Sequence, residues 1–231
     1  MKVDKNITSR HSNWVFDEHV APEFDDHVRK SVPDYERCQE LAARFSDWFT
    51  YPGATVLDLG AATGETLARL HLRHAGKRLR LIGYDNSKAM IEQAVTKGIH
   101  VEFADLALDP ADFPKASYAV ALYTLQFLRP HQKWTVVQRL ARAIESGGGF
   151  FVVEKVVSDF SNTHDIIQHL YWDFKRENGL SPEEVLNKAN ALRGAMFPQK
   201  TSENEGLLRQ AFREVECVFR NLSFAGWICI K

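Results

Sequence analysis

Residues 56–66, VLDLGAATGET, read as a buried strand that halts on a glycine and hands over to a helix. Val56, Leu57 and Leu59 supply the apolar run, Gly60 to Gly64 a bend of small residues, and Glu65 the acidic first turn of the helix. In an open α/β sheet a ligand sits beyond the carboxyl ends of the strands, where the strand order reverses. This bend is therefore where a site is expected.

Working outward, short apolar or β-branched runs recur at 78–85, 100–106, 118–128 and 148–156, with helix-like stretches between them. Strands alternating with helices imply right-handed crossovers and a mostly parallel sheet. After residue 157 the rhythm changes to helical stretches at 161–178, 181–195 and 203–212. The chain then closes with EVECVFR and SFAGWICI, two strands most simply paired antiparallel. The expected fold is α/β and Rossmann-like, as in methyltransferases: a mostly parallel seven-stranded sheet with a C-terminal antiparallel hairpin and extra helices over the crevice. Residues 1–50 read as an N-terminal helical cap of the same domain as 51–231, with a helical insertion at about 158–200. Residues 1–12 are polar enough to be expected frayed, and ELAARFSDWF places Leu41, Phe45 and Trp48 on one helix face.

With 29 Lys and Arg against 30 Asp and Glu, the chain has no net field to hold a polyanion, which argues against a nucleic-acid-tracking protein. Cys38, Cys217 and Cys229 are scattered without a CxxC spacing, which fits a reducing cytoplasm rather than a disulfide or zinc framework. No stretch approaches the roughly 20 apolar residues of a membrane span.

The ligand follows from what the bend lacks. A dinucleotide site needs G-x-G-x-x-G, and those positions here are Gly60, Ala62 and Glu65, so the pyrophosphate glycine is missing. A nucleoside joined to an amino acid needs only small residues and a helix N-terminus, which Gly60, Ala61, Ala62, Thr63 and Gly64 provide. That is the shape of S-adenosyl-L-methionine. Asp58 stands on the strand itself. Asp85 closes the next strand, where a carboxylate accepts two ribose hydroxyls in charge-assisted bonds of ~1.5–3 kcal/mol each, although it could equally cap the helix of SKAMIEQAV. Asp105 and the N–H of Leu106 end the third strand and can read an adenine edge.

Other chemistries leave no mark. Residues 121–126 are ALYTLQ, without the D-P-P-Y type motif of nucleobase amino-methylation, and no Pro-Cys pair exists for cytosine C5 chemistry. His71 and His74 lack a third ligand at metal spacing and read as a solvated basic face, so no metal is expected. His164 and His169, beside Tyr171 and Trp172, are as compatible with core or surface as with an acceptor pocket. No catalytic base is assigned. Trp14, Tyr35, Tyr123, Tyr171 and Trp172 are candidates to line a sulfonium pocket, where ring faces attract the cation by ~0.5–2 kcal/mol.

NWVFDEHVAPEFDDHVRKSVPDY (13–35), DNSKAMIEQA (85–94), TLQFL (124–128) and DFKRENGLS (173–181) together resemble the carboxy-S-adenosylmethionine synthase family of the tRNA wobble-uridine oxyacetate pathway. The resemblance implies a homodimer and a cofactor pocket using Tyr35, the Gly60 loop, Asp85, Asn86, Asp105 and Leu106; Met90 and Tyr123 complete the expected set. It also implies carboxylation of the sulfonium methyl with prephenate as carboxyl source. Two positions depart from the family pattern: Leu122 stands where an Asn is expected, and Gly206 or Leu207 where an Arg pairs with the added carboxylate, with Arg209 nearby. A carboxylate without a cation is underpaired. The reading favoured by sequence is therefore methyl transfer from S-adenosyl-L-methionine to a small-molecule acceptor, leaving S-adenosylhomocysteine, in preference to carboxy-S-adenosylmethionine synthesis. In such a transfer, alignment of acceptor and methyl supplies ~7–11 kcal/mol. A non-catalytic cofactor-binding regulatory subunit is the third reading.

Overall fold

The computed structural model describes residues 1–109 and 112–231. Among the described residues, eight strands and eight α-helices are formed, and at the centre they alternate as the apolar runs require: β1 Thr55–Leu59, α3 Glu65–Arg73, β2 Arg80–Asp85, α4 Lys88–Thr96, β3 Val101–Phe103, β4 Ala116–Leu122, α5 Pro130–Ala143 and β5 Ile144–Val157. Ahead of them lie α1 Phe24–Ser31 and α2 Tyr35–Phe49. Behind them follow α6 Ser161–Glu177, α7 Pro182–Ala191, β6 Gln199–Lys200, α8 Thr201–Arg209, β7 Glu214–Asn221 and β8 Phe224–Ile230.

The sheet runs in the order β3-β2-β1-β4-β5-β8-β7. β1 to β5 pair in parallel, while β8 and β7 form the antiparallel hairpin on β5. Because β2 and β4 flank β1 on opposite sides, the order reverses there, and the Gly60 bend sits at the reversal. The seven expected strands are joined by an eighth, β6, two residues that pair in parallel with the end of β5. Gln199 and Lys200 carry no apolar alternation by which such a strand could be read.

Both sheet faces are covered, which is why β1 and β4 are almost continuously buried. α2 packs its small residues Cys38, Ala42, Ala43 and Ser46 against the sheet, and Tyr118 Oη donates to Ala42 O at 2.9 Å. Leu41 and Phe45 lie half-buried at the margins of that face. Trp48, on the same face as Leu41 and Phe45 by spacing, is 78% exposed, because the small residues of α2 are the ones that meet the sheet.

The first twelve residues are not frayed. Val3 and Ile7 are fully buried in a cluster with Trp14, Val20, Met90 and Ala191, and each such burial contributes ~1.5–3 kcal/mol. A tight turn closes on itself through Val3 N–H to Ile7 O at 2.8 Å. It is then clipped to α7 by Asn187 Nδ2 to Lys2 O (2.8 Å) and by Ser12 N–H to Asn190 O (2.9 Å). Two inward apolar residues in a turn are too few to show as a period. α7 itself is readable: Ser181 and Glu184 form a reciprocal capping box with Pro182 at the first position.

Candidate functional site

A cavity of about 210 Å³ opens beyond the carboxyl ends of β1, β2 and β4 and extends beneath the cap. Gly60 shapes its floor. Its φ is +78°, and a Cβ there would lie 2.3 Å from Thr124 Oγ1 across the reversal, so no side chain fits. Ala62 also holds a positive φ, +47°, which aims its N–H at Asp85 Oδ2 at 2.9 Å. The other Asp85 oxygen accepts the Ser87 N–H at 2.8 Å. Asp85 is thus fixed by the loop and does not cap α4; that role belongs to Ser87, whose Oγ accepts from Met90 N–H at 3.1 Å. Burial pushes the Asp85 pKa up, against the pull of these N–H groups.

Asp58 is buried on β1, and its Oδ2 has no hydrogen-bond partner among the described residues. Burial, with the Asp85 charge second, pushes its pKa up to about 8. An orphaned buried oxygen facing a cavity calls for a donor there, from a ligand or an ordered water. Asn86 Nδ2 reaches Asp105 Oδ2 at 3.3 Å, and Asp105 Oδ1 accepts the Ala107 N–H at 2.9 Å. Asp105 lies two residues past the end of β3 rather than on it.

Of the residues singled out from sequence, Tyr35, Asp58, Gly60, Ala61 and Ala62 share this wall, as do Asp85, Asn86, Met90, Asp105, Leu106 and Tyr123. Gly64 does not line it; with φ +79° it turns the chain into α3. Tyr35 and Tyr123 stack at 5.5 Å between centroids. Trp14 and Tyr171 also line the cavity, whereas Trp172, His164 and His169 do not. Trp172 instead meets His169 edge-on on the outer side of α6. His74 corrects the solvated reading: it is buried at the end of α3, within 2.6 Å of Ser46 Oγ. Among the described residues no group of three or more His, Cys, Asp or Glu side chains is placed to hold a metal, and no helix is long and apolar enough to cross a membrane.

The cap is tied to the loop and to both ends of α4. Thr63 Oγ1 donates to Asp25 Oδ1 at 2.7 Å, Lys97 Nζ meets Asp25 Oδ2 at 2.6 Å, and Ser87 Oγ bonds to Phe16 O.

The far end of the cavity holds what sequence reasoning missed. Lys155 of β5, Lys175 of α6 and Lys188 of α7 all line it, Lys175 and Lys188 at 6% and 9% exposure. Lys155 and Lys175 approach the Tyr171 ring at 4.9 and 4.5 Å from its centroid, and Lys188 lies over Trp14. Burial lowers all three: Lys155 to about 8, Lys175 to about 7 with help from Lys155, and Lys188 well down. Beside them His27 Nδ1 lies 2.8 Å from Asp4 Oδ2, and Ser31 Oγ 3.3 Å from His27 Nε2. Burial depresses the His27 pKa to about 4, while the bond to His27 takes Asp4 down to about 2, so a neutral imidazole donates to a carboxylate. Tyr171 Oη donates to Ser31 O at 2.8 Å, which braces the same wall. The spacings Tyr171–Lys175 and Glu184–Lys188, each i,i+4 on a buried face, were the available sequence signal.

The expected substitutes for the missing arginine lie elsewhere. Gly206, Leu207 and Arg209 do not line the cavity, and Arg209 is paired with Glu205 at 2.7 Å on the outside of α8. Leu122 does line it. The premise of a cavity without a cation therefore fails.

Comparison with known proteins agrees with this geometry. A methyltransferase domain family matches residues 56–148. Solved structures with the same fold include a possible histamine N-methyltransferase from Thermotoga maritima (TM-score 0.59, 17% identity, 93% of this chain and 97% of that one). Human N-acetylserotonin methyltransferase in complex with SAM is another (TM-score 0.61, 15% identity, 93% and 56%). At such identities they establish the fold alone. Closer in sequence are carboxy-S-adenosyl-L-methionine synthases of Wolinella succinogenes, 38% identical over 94% of this chain and 92% of that one, and Sulfurimonas denitrificans, 35% identical over 94% of each. That of Staphylococcus epidermidis is 32% identical over 94% and 97%. On this likeness, which runs through cap, loop and hairpin, the chain belongs to the carboxy-S-adenosyl-L-methionine synthase family.

Proposed function

We propose that the protein carboxylates the methyl group of S-adenosyl-L-methionine, with prephenate as the carboxyl donor. The observation that carries this reading is the roofed cavity: Trp14, Phe16 and Phe24 of the cap and Leu192 and Met196 after α7 close over the cofactor loop, leaving room for a small molecule beside the cofactor. Bound S-adenosyl-L-methionine supplies an activated methyl on a sulfonium. Asp85 has lone pairs left for the ribose hydroxyls, Asp105 and the Leu106 N–H face the adenine, and the orphan oxygen of Asp58 accepts from the ammonium of the amino-acid end. The stacked Tyr35 and Tyr123 offer ring faces to the sulfonium.

The stoichiometry closes without a further reactant. The methyl loses one proton and gains a carboxyl group; prephenate loses carbon dioxide and hydroxide and becomes aromatic; proton and hydroxide leave as water. Methyl transfer to a small acceptor, the reading favoured by sequence, rested on Leu122 in place of an Asn and on the missing arginine, and the lysine wall removes the second reason.

The test is incubation with S-adenosyl-L-methionine and prephenate, followed by mass spectrometry. A cofactor heavier by one carboxyl group together with phenylpyruvate is expected. S-adenosylhomocysteine and a methylated acceptor would restore the methyltransferase reading, and binding without any product would favour a regulatory subunit. Within the same reading the protein works as a homodimer, supported by the exposed row Phe160, Ile166 and Leu170 at and along α6; a monomer in sedimentation velocity would remove that part.

A further inference from the structure

Three elements bring three lysines to one end of the cavity: Lys155 from β5, Lys175 from α6 and Lys188 from α7. None of them makes an ion pair among the described residues, although elsewhere the fold pairs a buried lysine fully, Lys133 donating to Glu154 at 2.9 Å and to Asn204 at 3.0 Å. The carboxylate whose charge reaches Lys188, that of Asp4, is already held by His27 at 2.8 Å and met by Lys30 at 3.6 Å. A buried amine without an acid is relieved by giving up its proton, and beside other cations it is then a nucleophile. Lys175 is the one so placed. It is 6% exposed, its charge weighs on Lys188 more than that of Lys155 does, and Lys155 weighs on it in turn, so it stands between the other two. Lys188 has its nitrogen against the Trp14 ring, and Lys155 is the most exposed of the three.

We propose that Lys175 is a site of reversible modification by carbon dioxide, its Nζ carrying a carbamate that Lys155 and Lys188 pair. The lone pair of the neutral nitrogen attacks the carbon of carbon dioxide. A C–N bond forms, one C=O π pair moves onto oxygen, and the proton that leaves Nζ is taken up by Lys188, which burial otherwise holds neutral. The new anion beside Lys188 favours its protonated form. Three amines without an acid become one anion between two ammonium groups, each bond charge-assisted, and the net charge of the wall is unchanged. Carbon dioxide is small and uncharged, so it reaches a buried amine without the desolvation cost of an anion, and the cavity of about 210 Å³ has room for the added group. The modification involves neither the cofactor loop nor turnover, so it stands apart from the synthase reading.

The full chain is equilibrated at neutral pH with ¹³C-bicarbonate under carbon dioxide, treated with triethyloxonium, which esterifies carbamates, and digested for mass spectrometry. A carbethoxy group on Lys175 is expected, together with a carbamate ¹³C resonance that vanishes when carbon dioxide is purged. The exposed amino group of Met1 is the internal control, and Lys175 should exceed its occupancy at least about tenfold. Label on Met1 and surface lysines with none on Lys175 overturns the site. Lys155→Met and Lys188→Met should each lower the occupancy of Lys175 about tenfold, as loss of a charged partner implies; undiminished occupancy in both overturns the pairing. Carbon dioxide should also raise the Tm of the wild type over a sodium chloride control of equal pH and ionic strength, and leave that of Lys175→Met unmoved. An equal rise in both overturns the assignment to Lys175. If a variant fails to fold, trapping on the wild type decides. A trapped carbamate on a protein that makes no carboxylated product keeps the site and removes the synthase reading, and product without a trapped carbamate does the reverse.

Discussion

Lys175 is a residue whose cost can be measured without any substrate. On folding its pKa falls from 10.5 to about 7 through burial and the neighbouring Lys155. Between those values the unfolded chain binds more protons than the native one, so the stability of the ligand-free protein rises with pH from about 7 to about 10.5. Lys175→Met should flatten that slope and raise Tm at pH 7 by about 2–4 °C for each kcal/mol regained, with a smaller gain at pH 10. A Tm that falls at pH 7 would mean that the ammonium is satisfied after all. Asp58 runs oppositely: with its folded pKa raised to about 8 from 3.8, stability declines as pH rises through that window. Asp58→Asn should therefore stabilise the ligand-free protein more at pH 8 than at pH 5 in thermal unfolding, while weakening S-adenosyl-L-methionine. Gly60→Ala should cost ~1–2 kcal/mol from the left-handed backbone alone, more with the Thr124 contact, and lower cofactor affinity tenfold or beyond in calorimetry. The glycine and the carboxylates were legible because strand ends announce themselves by where an apolar run stops. The lysines were not, since a lysine in sequence reads as solvated until the burial of its face is known.

At the scale of elements, the cap is held to the cofactor loop and to the ends of α4 by few bonds, and Asp25 accepts two of them, from Thr63 and Lys97. Asp25→Ala should cost about 1–2 kcal/mol of cap docking. Its signature is faster amide exchange across residues 13–31, with β1 and β4 unaffected; uniform acceleration throughout the chain would point to global destabilisation instead. The parallel strands and the closing hairpin were readable, as buried runs bounded by glycine and proline leave little choice. β6 and the rotation of α2 were not. Both are decided by neighbours: β6 by the free edge at the end of β5, and α2 by how closely Ala42, Ala43 and Ser46 let it approach the sheet.

Across the whole molecule, the two ends of the cavity differ in how they are built. The cofactor end is, apart from Tyr35, one compact run of strand ends between residues 58 and 124. The far end draws on residues before position 35 and from 155 onward, so its character emerged only once the chain was folded. The hydrogen bond from Asn187 to Lys2 spans 185 positions. Contacts so distant along a chain close late, since their loop entropy is offset only after the intervening sheet has formed. The cavity roof thus joins residues made far apart in time, Trp14 to Phe24 with Leu192 and Met196, and is expected to be secured among the last. In refolding, recovery of native far-UV signal should precede recovery of prephenate binding, with cofactor binding between them. During synthesis Val3 and Ile7 must wait exposed until α7, made far later in the chain, has left the ribosome.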